Sequence, residues 1–501
     1  MPHTLATPTL HLVIDDDARP ARYGVMASIL AAERAACLDA ATEIGIDARN
    51  KAPLRDIGFG HLSYTFDTAH YADAVQHVAL TGDLLPSGLV WYERLNGRPA
   101  PQPRALTQWL DAWFDNDAAP SEETRIDRVN CVGRDNCVDE GVIPIHPSLT
   151  DAADDLHGLV TAAQAAMRRI EGTLRCYRVV ARRLGEAPGW ALVEIDLADP
   201  TLTTTVAASA WVAQQDRYGR WQCVYPGEAS TQARSVDSRP ALTVALIGTE
   251  VEQFDGYPGT LAALGDAADA IGVTLDMHFV SPHDASALLA ELQHFTHDSA
   301  PGAPVALPRD PSGSTTTGTH RPPLHGIVLP GGADMGRVAG QIAAAAQGWR
   351  HRIPTLGLCL GMQTMTTAAL QRATGRSDIT LLELAPDTTL PSFVRNADGG
   401  HRLGLQPVLA ASHGPIGSAI RCNHRFRLNP ALFAALAQAD IDIAAWDASR
   451  TIVDGIAAAP RARHPFYAGA QGHPELMSTP ARPHPLILSW LRAVCAAARP
   501  A

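Results

Sequence analysis

The sequence predicts an α/β protein with two parts. The C-terminal part is expected to hold a mostly parallel sheet with helices on both faces, and the N-terminal part an α+β region. The first expectation rests on short apolar runs that alternate with helical stretches, at residues 242–247, 275–280, 326–329 and 355–358. The second rests on consecutive β-like runs around a hairpin turn, which favour antiparallel pairing.

Length and composition are typical of a globular protein with several domains. A chain of 501 residues is too long for one core. Its content of 46% hydrophobic and 18% charged residues lies outside the range of disordered sequences. We predict an α/β or α+β region of unknown role at 1–150, then a helix with an antiparallel sheet at 151–235 that belongs to the same domain. A separate domain is predicted at 236–501.

Charge and hydropathy argue against several classes of partner. The formal charge of −12 disfavours nucleic acid or an anionic membrane as the main partner. No apolar run approaches the roughly 20 residues that span a bilayer, and the first residues lack the features of a signal peptide. The eight cysteines are sparse and no pair has a strong metal-binding spacing. We therefore expect a cytoplasmic protein without a metal site, and a homo-oligomer is left open.

The N-terminal elements begin with a strand at 10–14 that runs into three aspartates at 15–17. These acids could bind Mg²⁺ with a nucleotide, but an ordinary acidic cluster near a helix start is the favoured interpretation. Residues 115–150 are polar and show no clear periodicity. Helical patterns are predicted at 25–44, 72–80, 105–114 and 151–174.

The sequence pattern then changes from helical to β-like, and strands are predicted at 176–183, 190–197, 203–213 and 221–225. The last two flank a turn at 216–220, in which Gly219 can adopt a positive φ. A polar, proline-flanked linker is expected at 226–241. Beyond it, a helix at 261–271 should end at Gly272, and residues 299–323 are predicted to be a disordered surface loop because they are rich in Pro, Gly, Ser and Thr.

The segment GLCLG at 357–361 carries the first sign of chemistry. It follows an apolar strand and precedes a helical stretch, so Cys359 occupies the kind of strand-to-helix turn that presents a nucleophile. The helix N-terminus stabilises negative charge on the sulfur, and the amide of Leu360 is placed to donate to a developing oxyanion. Alone, the segment is equally consistent with a structural thiol at a buried strand end.

Two further motifs favour the catalytic interpretation. Pro330-Gly331-Gly332 follows the strand at 326–329, and amides at a parallel strand's carboxyl end can approach a ligand closely. Gly331 and Gly332 are thus candidate oxyanion donors. Downstream, His473 can act as a base towards the thiol and later as an acid towards ammonia. Glu475 would orient the imidazole and stabilise its charged form.

These motifs, in this order, resemble the class I glutamine amidotransferases, and most of all the amidotransferase domain of CTP synthase. The resemblance covers residues 242–498 and includes the segments LGLCLGMQ, LLELAPD, NHRFRLN and QGHPELM. It implies a flavodoxin-like domain in which Cys359, His473 and Glu475 hydrolyse glutamine.

The resemblance also implies a set of residues that hold glutamine: Gly332, Leu360, Gly361, Met362, Gln363, Glu383 and Arg425. Charge supports the last two independently. Free glutamine is a zwitterion, so its pocket needs an acid for the ammonium and a cation for the carboxylate. Glu383 can serve the first and Arg425 the second.

The resemblance ends at the N-terminal half. Residues 1–241 contain nothing like the family's phosphate-binding SSLGKG loop and no GxGxxG after a strand. Within the similar half, Ala333 replaces a phenylalanine of the family, and Asn423 and Arg427 alter its RHRYE segment, which puts activation by GTP in doubt. Glutamine hydrolysis requires no cofactor, and ATP and Mg²⁺ enter only with a synthetase activity.

Three functions are left open at this stage. The first is a glutamine amidotransferase that delivers ammonia to an unknown acceptor bound by the N-terminal half. The second is a divergent CTP synthase that aminates UTP with ATP. The third is a stand-alone glutamine or γ-glutamyl hydrolase whose N-terminal half only binds a partner. Dependence of ammonia release on ATP would separate them.

Overall fold

The computed structural model divides into two compact units, residues 1–236 with 254–258 and residues 237–253 with 259–501. We call them the N-terminal and the C-terminal unit and describe each by itself. The structure describes the following residues: 9–16, 25–27, 29–30, 131–132, 140–145, 158, 160–161, 163–165, 167–168, 171–183, 188–198, 204–207, 209–224, 239–255, 257–285, 288, 305–306, 323–397, 399–410, 415–480 and 482–498.

The N-terminal unit contains an eight-stranded mixed sheet in the order β2-β3-β1-β4-β5-β7-β8, with β6 also paired to β5. Only β1 is parallel to its neighbours, β3 and β4, and the remaining pairs are antiparallel. The strands are β1 Thr9–Ile14, β2 Cys131–Val132, β3 Glu140–Ile145, β4 Thr173–Ala181, β5 Trp190–Ile195, β6 Thr204–Ala207, β7 Val212–Gln215 and β8 Trp221–Val224.

One face of this sheet carries a hydrophobic core cluster of the unit. Helical residues near position 25, among them Val25 and Met26, are buried with Trp211 and Trp221. Trp190 meets Trp221 edge to face at 5.1 Å between ring centroids, a geometry that aromatic rings prefer. The predicted hairpin turn is confirmed, since Asp216 N–H donates to Arg220 O at 2.9 Å and Gly219 has φ 70°.

Two N-terminal expectations were wrong, and two strands were not predicted. The run at 203–213 is two strands, because the Ser209 hydroxyl accepts from Leu192 N–H and donates to Trp211 O, which interrupts the ladder. The helix predicted to reach 174 ends earlier, since Glu171 is left-handed and Gly172 N–H bonds back to Met167 O. Strands β2 and β3 lie in the stretch without periodicity. Helices predicted at 72–80 and 105–114, and most of the linker at 226–241, lie outside the described residues.

From residue 241 onward the strands are β9 Ala241–Leu246, β10 Thr274–Phe279, β11 Val305–Ala306, β12 Pro323–Leu324, β13 Gly326–Leu329, β14 Thr355–Leu358, β15 Phe393–Arg395, β16 Arg402–Ala410, β17 Ala419–His424, β18 Phe426–Leu428, β19 Ile441–Asp447, β20 Val453–Ala458 and β21 Tyr467–Ala470. The helices are α1 Glu250–Asp255, α2 Pro258–Ile271, α3 Val338–Arg350, α4 Leu360–Thr374, α5 Phe433–Gln438 and α6 Pro485–Ala497. The strands predicted at 326–329 and 355–358 are confirmed to the residue.

The main sheet of this unit has nine strands in the order β10-β9-β13-β14-β21-β20-β19-β16-β17. The five strands from β10 to β21 are parallel, as predicted. The other four extend the sheet with antiparallel pairs, which the sequence interpretation did not include. The result is an α/β unit whose sheet is parallel from β10 to β21 and antiparallel from there to β17.

Helices cover both faces of the parallel half, as alternation along β13 demonstrates. Ile327 and Leu329 pack into the core cluster formed with α3 and α4. Gly326 points to the opposite face, where a Cβ would lie 2.9 Å from Trp490 of α6. Trp490 also donates its indole N–H to Pro354 O at 3.1 Å. The expected arrangement of helices on both faces is therefore confirmed.

One C-terminal expectation needs correction. The segment at 299–323 was predicted to lack structure, yet β11 within it pairs with β12 in a short antiparallel ladder. The rest of the segment lies outside the described residues. Across the part of the chain that the structure describes, no helix has the length and apolarity of a membrane span.

Candidate active site

Cys359 lies at a sharp turn between β14 and α4. Its backbone has φ 49° and ψ −105°, a region that a residue with a Cβ adopts only at a cost of order 1–3 kcal/mol. The turn is held because Cys359 N–H donates to Ala470 O at 2.8 Å and Gln363 N–H donates to Cys359 O at 3.1 Å. The strained bend therefore presents the thiol at the end of the strand.

A close approach of two backbones explains the glycine after this turn. A Cβ on Gly361 would lie 1.9 Å from the carbonyl oxygen of Leu329, at the end of the neighbouring strand β13. No side chain fits in that space, so α4 can start at this height above the sheet only with glycine there.

His473 and Glu475 form the second part of the site. Both are buried, and the ring Nδ1 of His473 lies 2.7 Å from Glu475 Oε1. This bond leaves Nε2 as the nitrogen available to the thiol. The loop itself is fixed by His473 N–H, which donates to Arg421 O at 2.7 Å, and by Gln471 N–H, which donates to Asp454 O at 2.9 Å.

The electrostatics of His473 favour a charged imidazole. Burial alone would lower its pKa, but the adjacent Cys359 and Glu475, through charge and hydrogen bonds, raise it well above the ordinary value. A protonated ring between a thiol and a carboxylate is the arrangement that stabilises an imidazolium–thiolate pair.

Gly331 is the point at which these groups meet. A Cβ built on it would lie 3.2 Å from His473 Cε1 and 3.4 Å from Cys359 Cβ. The neighbouring Gly332 has φ 156°, and a Cβ there would lie 3.0 Å from a guanidinium nitrogen of buried Arg337. The amide of Leu360 opens α4 and has no intrahelical acceptor in that position. Of the three predicted oxyanion donors, Gly331 thus lies beside Cys359 and Leu360 follows it in the chain, while Gly332 lies against Arg337. Their role as donors stays a prediction.

Apart from Gly332, the residues predicted to hold glutamine fall into two groups. Leu360, Gly361, Met362 and Gln363 form the buried first turn of α4. The side chain of Met362 packs against Gly469 in the core. Whether these residues bind glutamine stays a prediction.

The charged pair of the predicted pocket lies elsewhere, near the β15–β18 ladder. Glu383 and Arg425 both keep exposed surface. Partial burial raises the pKa of the Glu383 carboxyl, while the nearby Arg395 and Arg425 act in the opposite direction. Arg395 was missed by the sequence interpretation. It lies over the Phe426 ring, 5.2 Å from its centroid.

A buried polar cluster behind the loop was also missed. Arg402 binds Asp454 through two hydrogen bonds of 2.6 and 3.1 Å, and its Nη1 lies 3.2 Å from His424 Nε2. The other nitrogen of His424 donates to Phe426 O at 3.0 Å. Burial, aided by Arg402, lowers the pKa of His424 to about 3, so the ring is neutral.

Two groups of potential metal ligands occur among the residues that the structure describes. Cys422, His424 and Asp454 bring ligand atoms within 4.8 Å of one another, but Arg402 already occupies the carboxylate and faces the imidazole. The exposed group Glu252, His283 and Asp334 is engaged by Arg337 through Glu252 at 2.7 Å. Of the three aspartates at 15–17, Asp15 is buried, Asp16 is exposed and the third lies outside the described residues.

Comparison with known proteins places this site in a family. Residues 312–493 match the family model described as Glutamine amidotransferase class-I. CTP synthase of Acidothermus cellulolyticus is 28% identical over 276 residues, 51% of this chain and 45% of that protein. CTP synthase of Synechococcus sp. is 31% identical over 270 residues, 51% of this chain and 43% of that protein. The chain thus spans less than half the length of these relatives.

A solved structure, the glutaminase domain of Trypanosoma brucei CTPS with bound acivicin, is 25% identical, with a TM-score of 0.41, and the match covers 51% of this chain and 94% of that one. The family match and the relatives all fall on the C-terminal half, where the motifs predicted them. The C-terminal half of the chain is therefore a class I glutamine amidotransferase domain that resembles the one of CTP synthase.

Proposed function

We propose that the protein hydrolyses glutamine with Cys359, His473 and Glu475 and passes the ammonia to an acceptor bound by its N-terminal half. The observation that carries this proposal is the meeting of the thiol and the imidazole at Gly331, with Glu475 Oε1 2.7 Å from the ring. A nucleophile, a base and an orienting acid in contact are the parts that covalent amide hydrolysis needs.

The reaction starts from the imidazolium–thiolate pair. The Cys359 sulfur attacks the side-chain carbonyl carbon of glutamine, and the oxygen takes the negative charge among the amides of Gly331, Gly332 and Leu360. The carbon–nitrogen bond then breaks, and the proton of His473 goes to the departing nitrogen, so ammonia leaves and a γ-glutamyl thioester remains.

Water completes the cycle. The now neutral His473 takes a proton from the attacking water, the carbon–sulfur bond breaks, and glutamate leaves with the thiolate restored. Glu475 holds the ring in one orientation and stabilises its charged form in both halves of the reaction.

Recognition of the substrate ends follows from charge. Glu383 binds the α-ammonium group of glutamine and Arg425 binds its α-carboxylate, since each of these groups needs a partner of opposite charge. Arg395, the second cation beside Glu383, adds to the positive field around the carboxylate. A glutamine analogue in which a neutral group replaces the α-carboxylate should bind poorly.

The test is release of glutamate and ammonia from glutamine by the full chain, compared with Cys359→Ala and Cys422→Ala. Burial raises the pKa of Cys422 to about 12, so this second buried thiol is protonated near neutral pH and is a matched control. We expect activity in the wild type and in Cys422→Ala and none in Cys359→Ala. Equal turnover in Cys359→Ala would refute the assignment.

A second candidate function is the amination of UTP with ATP, which is favoured by the names of the relatives. Because the chain spans less than half their length, this activity needs its own assay. CTP formed from UTP, ATP, Mg²⁺ and glutamine would support it. Turnover of glutamine that is unchanged by ATP and by any acceptor would instead favour a stand-alone hydrolase.

A further inference from the structure

A buried amide side chain links the glycine loop to the nucleophile helix. Gln341 of α3 is fully buried. Its Nε2 donates to Pro330 O at 3.1 Å, and its Oε1 accepts from the Thr364 hydroxyl at 3.2 Å. The same hydroxyl lies 3.0 Å from Gly361 O in the first turn of α4. Gln341 Oε1 and Gly361 O therefore share the single proton of the Thr364 hydroxyl.

The geometry of a peptide bond gives this contact a consequence. The carbonyl of Pro330 and the N–H of Gly331 belong to one planar trans peptide, so they point in opposite directions. Gln341 holds the carbonyl towards the interior between α3 and α4. The N–H must then point away from that interior. It belongs to Gly331, the residue whose Cβ position lies beside both Cys359 and His473.

We propose that Gln341 is a positioning residue, which fixes the Pro330–Gly331 peptide so that the Gly331 amide serves as an oxyanion donor. This inference rests on the proposed function, because it concerns a charge that develops during attack on an amide. Gln341 itself does not touch the substrate. It acts through the peptide plane, and Thr364 sets which end of its amide faces Pro330.

The direction of the amide is what Thr364 contributes. A hydroxyl group that donates to Oε1 leaves Nε2 to face the carbonyl of Pro330, which can only accept. In Thr364→Val this constraint is lost while the volume is kept, so the amide of Gln341 can turn. In Gln341→Met the volume is similar and the bond to Pro330 is removed altogether.

The experiment compares two reactions of the same thiol in the full chain. Glutamine hydrolysis passes through an oxyanion, whereas alkylation of Cys359 by iodoacetamide displaces iodide at carbon and forms none. We expect Gln341→Met to lower kcat roughly 10- to 100-fold, since loss of an oxyanion donor costs up to about 1,000-fold and this one is displaced rather than removed. KM and the alkylation rate should stay within about twofold, because the interaction is realised only in the transition state.

The matched control is Gln371→Met. Gln371 lies on α4 and donates to Ile379 O at 2.8 Å, so it loses a similar bond to a backbone carbonyl elsewhere on the nucleophile helix. Its kcat should equal that of the wild type. Thr364→Val serves as a second variant should Gln341→Met fold poorly, with an expected loss of about fivefold in kcat.

Each outcome decides between the alternatives. If the wild type hydrolyses glutamine and both Gln341→Met and Thr364→Val have the same kcat as the wild type, this inference is overturned and the proposed function stands. A Gln341→Met whose alkylation rate falls in step with its kcat would also overturn it, since the whole site would then have been disturbed. A wild type that alkylates at Cys359 but never releases glutamate would overturn the proposed function itself.

Discussion

The Arg402–Asp454 pair should be costly to break, because it is a buried ion pair with two hydrogen bonds. The Asp454 side chain is fully buried and that of Arg402 is 14% exposed. Substitution of Asp454 by Asn keeps the shape but removes the charge, so the largely buried guanidinium loses the anion to which it is hydrogen-bonded. The neutral His424, which faces Arg402, cannot compensate because it has no charge to offer.

The expected cost follows from that burial. Breaking a buried pair from one side destabilises a protein by about 3–5 kcal/mol, because the remaining charge is desolvated without a partner. Replacing both members by apolar groups is often neutral or stabilising. Asp454→Asn should therefore destabilise the fold strongly, and the double variant Arg402→Met with Asp454→Leu should recover most of the lost stability.

Native-state hydrogen exchange of peptides that cover β21 measures the loss of stability around the pair. A loss of 3–5 kcal/mol corresponds to a fall in protection of roughly 100- to 4,000-fold. The matched control is Asp440→Asn, which weakens the exposed pair with Arg461 and should change protection by less than about fivefold. If Asp454→Asn kept its protection within threefold of the wild type, the pair would not carry the stability assigned to it.

Three further predictions concern the site and its supports. Glu475→Gln should lower kcat by roughly 100-fold or more, and should shift the alkaline limb of the alkylation profile to lower pH, since the carboxylate helps to raise the pKa of the imidazole. Burial lowers the pKa of His484 to about 4, and its neutral Nδ1 accepts from the first turn of α6. Stability from this group is present above the unfolded pKa of about 6.5 and is lost as pH falls. The free energy of unfolding of the wild type should therefore fall further between pH 7 and pH 5 than that of His484→Asn, by about 2 kcal/mol, as measured by chemical denaturation. Gly361→Ala should abolish alkylation of the nucleophile because its Cβ would meet the Leu329 carbonyl. Gly375→Ala should retain it, because no atom lies within 4 Å and its only cost is a left-handed backbone (φ 67°) at the end of α4, of order 1–2 kcal/mol.

The parallel strands were predictable because each is a short apolar run that ends in a recognisable turn. β13 ends at the glycine loop and β14 at the nucleophile, so sequence signals fixed both boundaries. The strand β3, with sequence EGVIPI, gave no such signal, since it includes a glycine and a proline, which are both rare in strands. The break at Ser209 depends on a side chain that bonds across strands, which no local pattern contains.

The supporting residues of the site were beyond prediction for a related reason. Gln341 and Thr364 looked like ordinary polar positions on two helices, and Arg402 and Asp454 like ordinary charges on two strands. The structural role of each depends on contacts with residues far along the chain, which the fold brings together. The three motifs with a local signature, by contrast, were found without the structure.

Sheet order explains why three separate motifs suffice to build the site. β13, β14 and β21 are neighbours, and Leu329 pairs with Gly357 as Leu358 pairs with Ala470. Parallel strands end at the same edge of a sheet, so the residues just beyond these three ends must meet. They are the glycine loop, Cys359 and the loop that carries His473. An insertion of one residue within β14 would move the thiol out of this register while leaving the other two ends in place. We expect such a variant to fold with its nucleophile unreactive towards glutamine, and full activity in it would show that the common edge does not set the geometry.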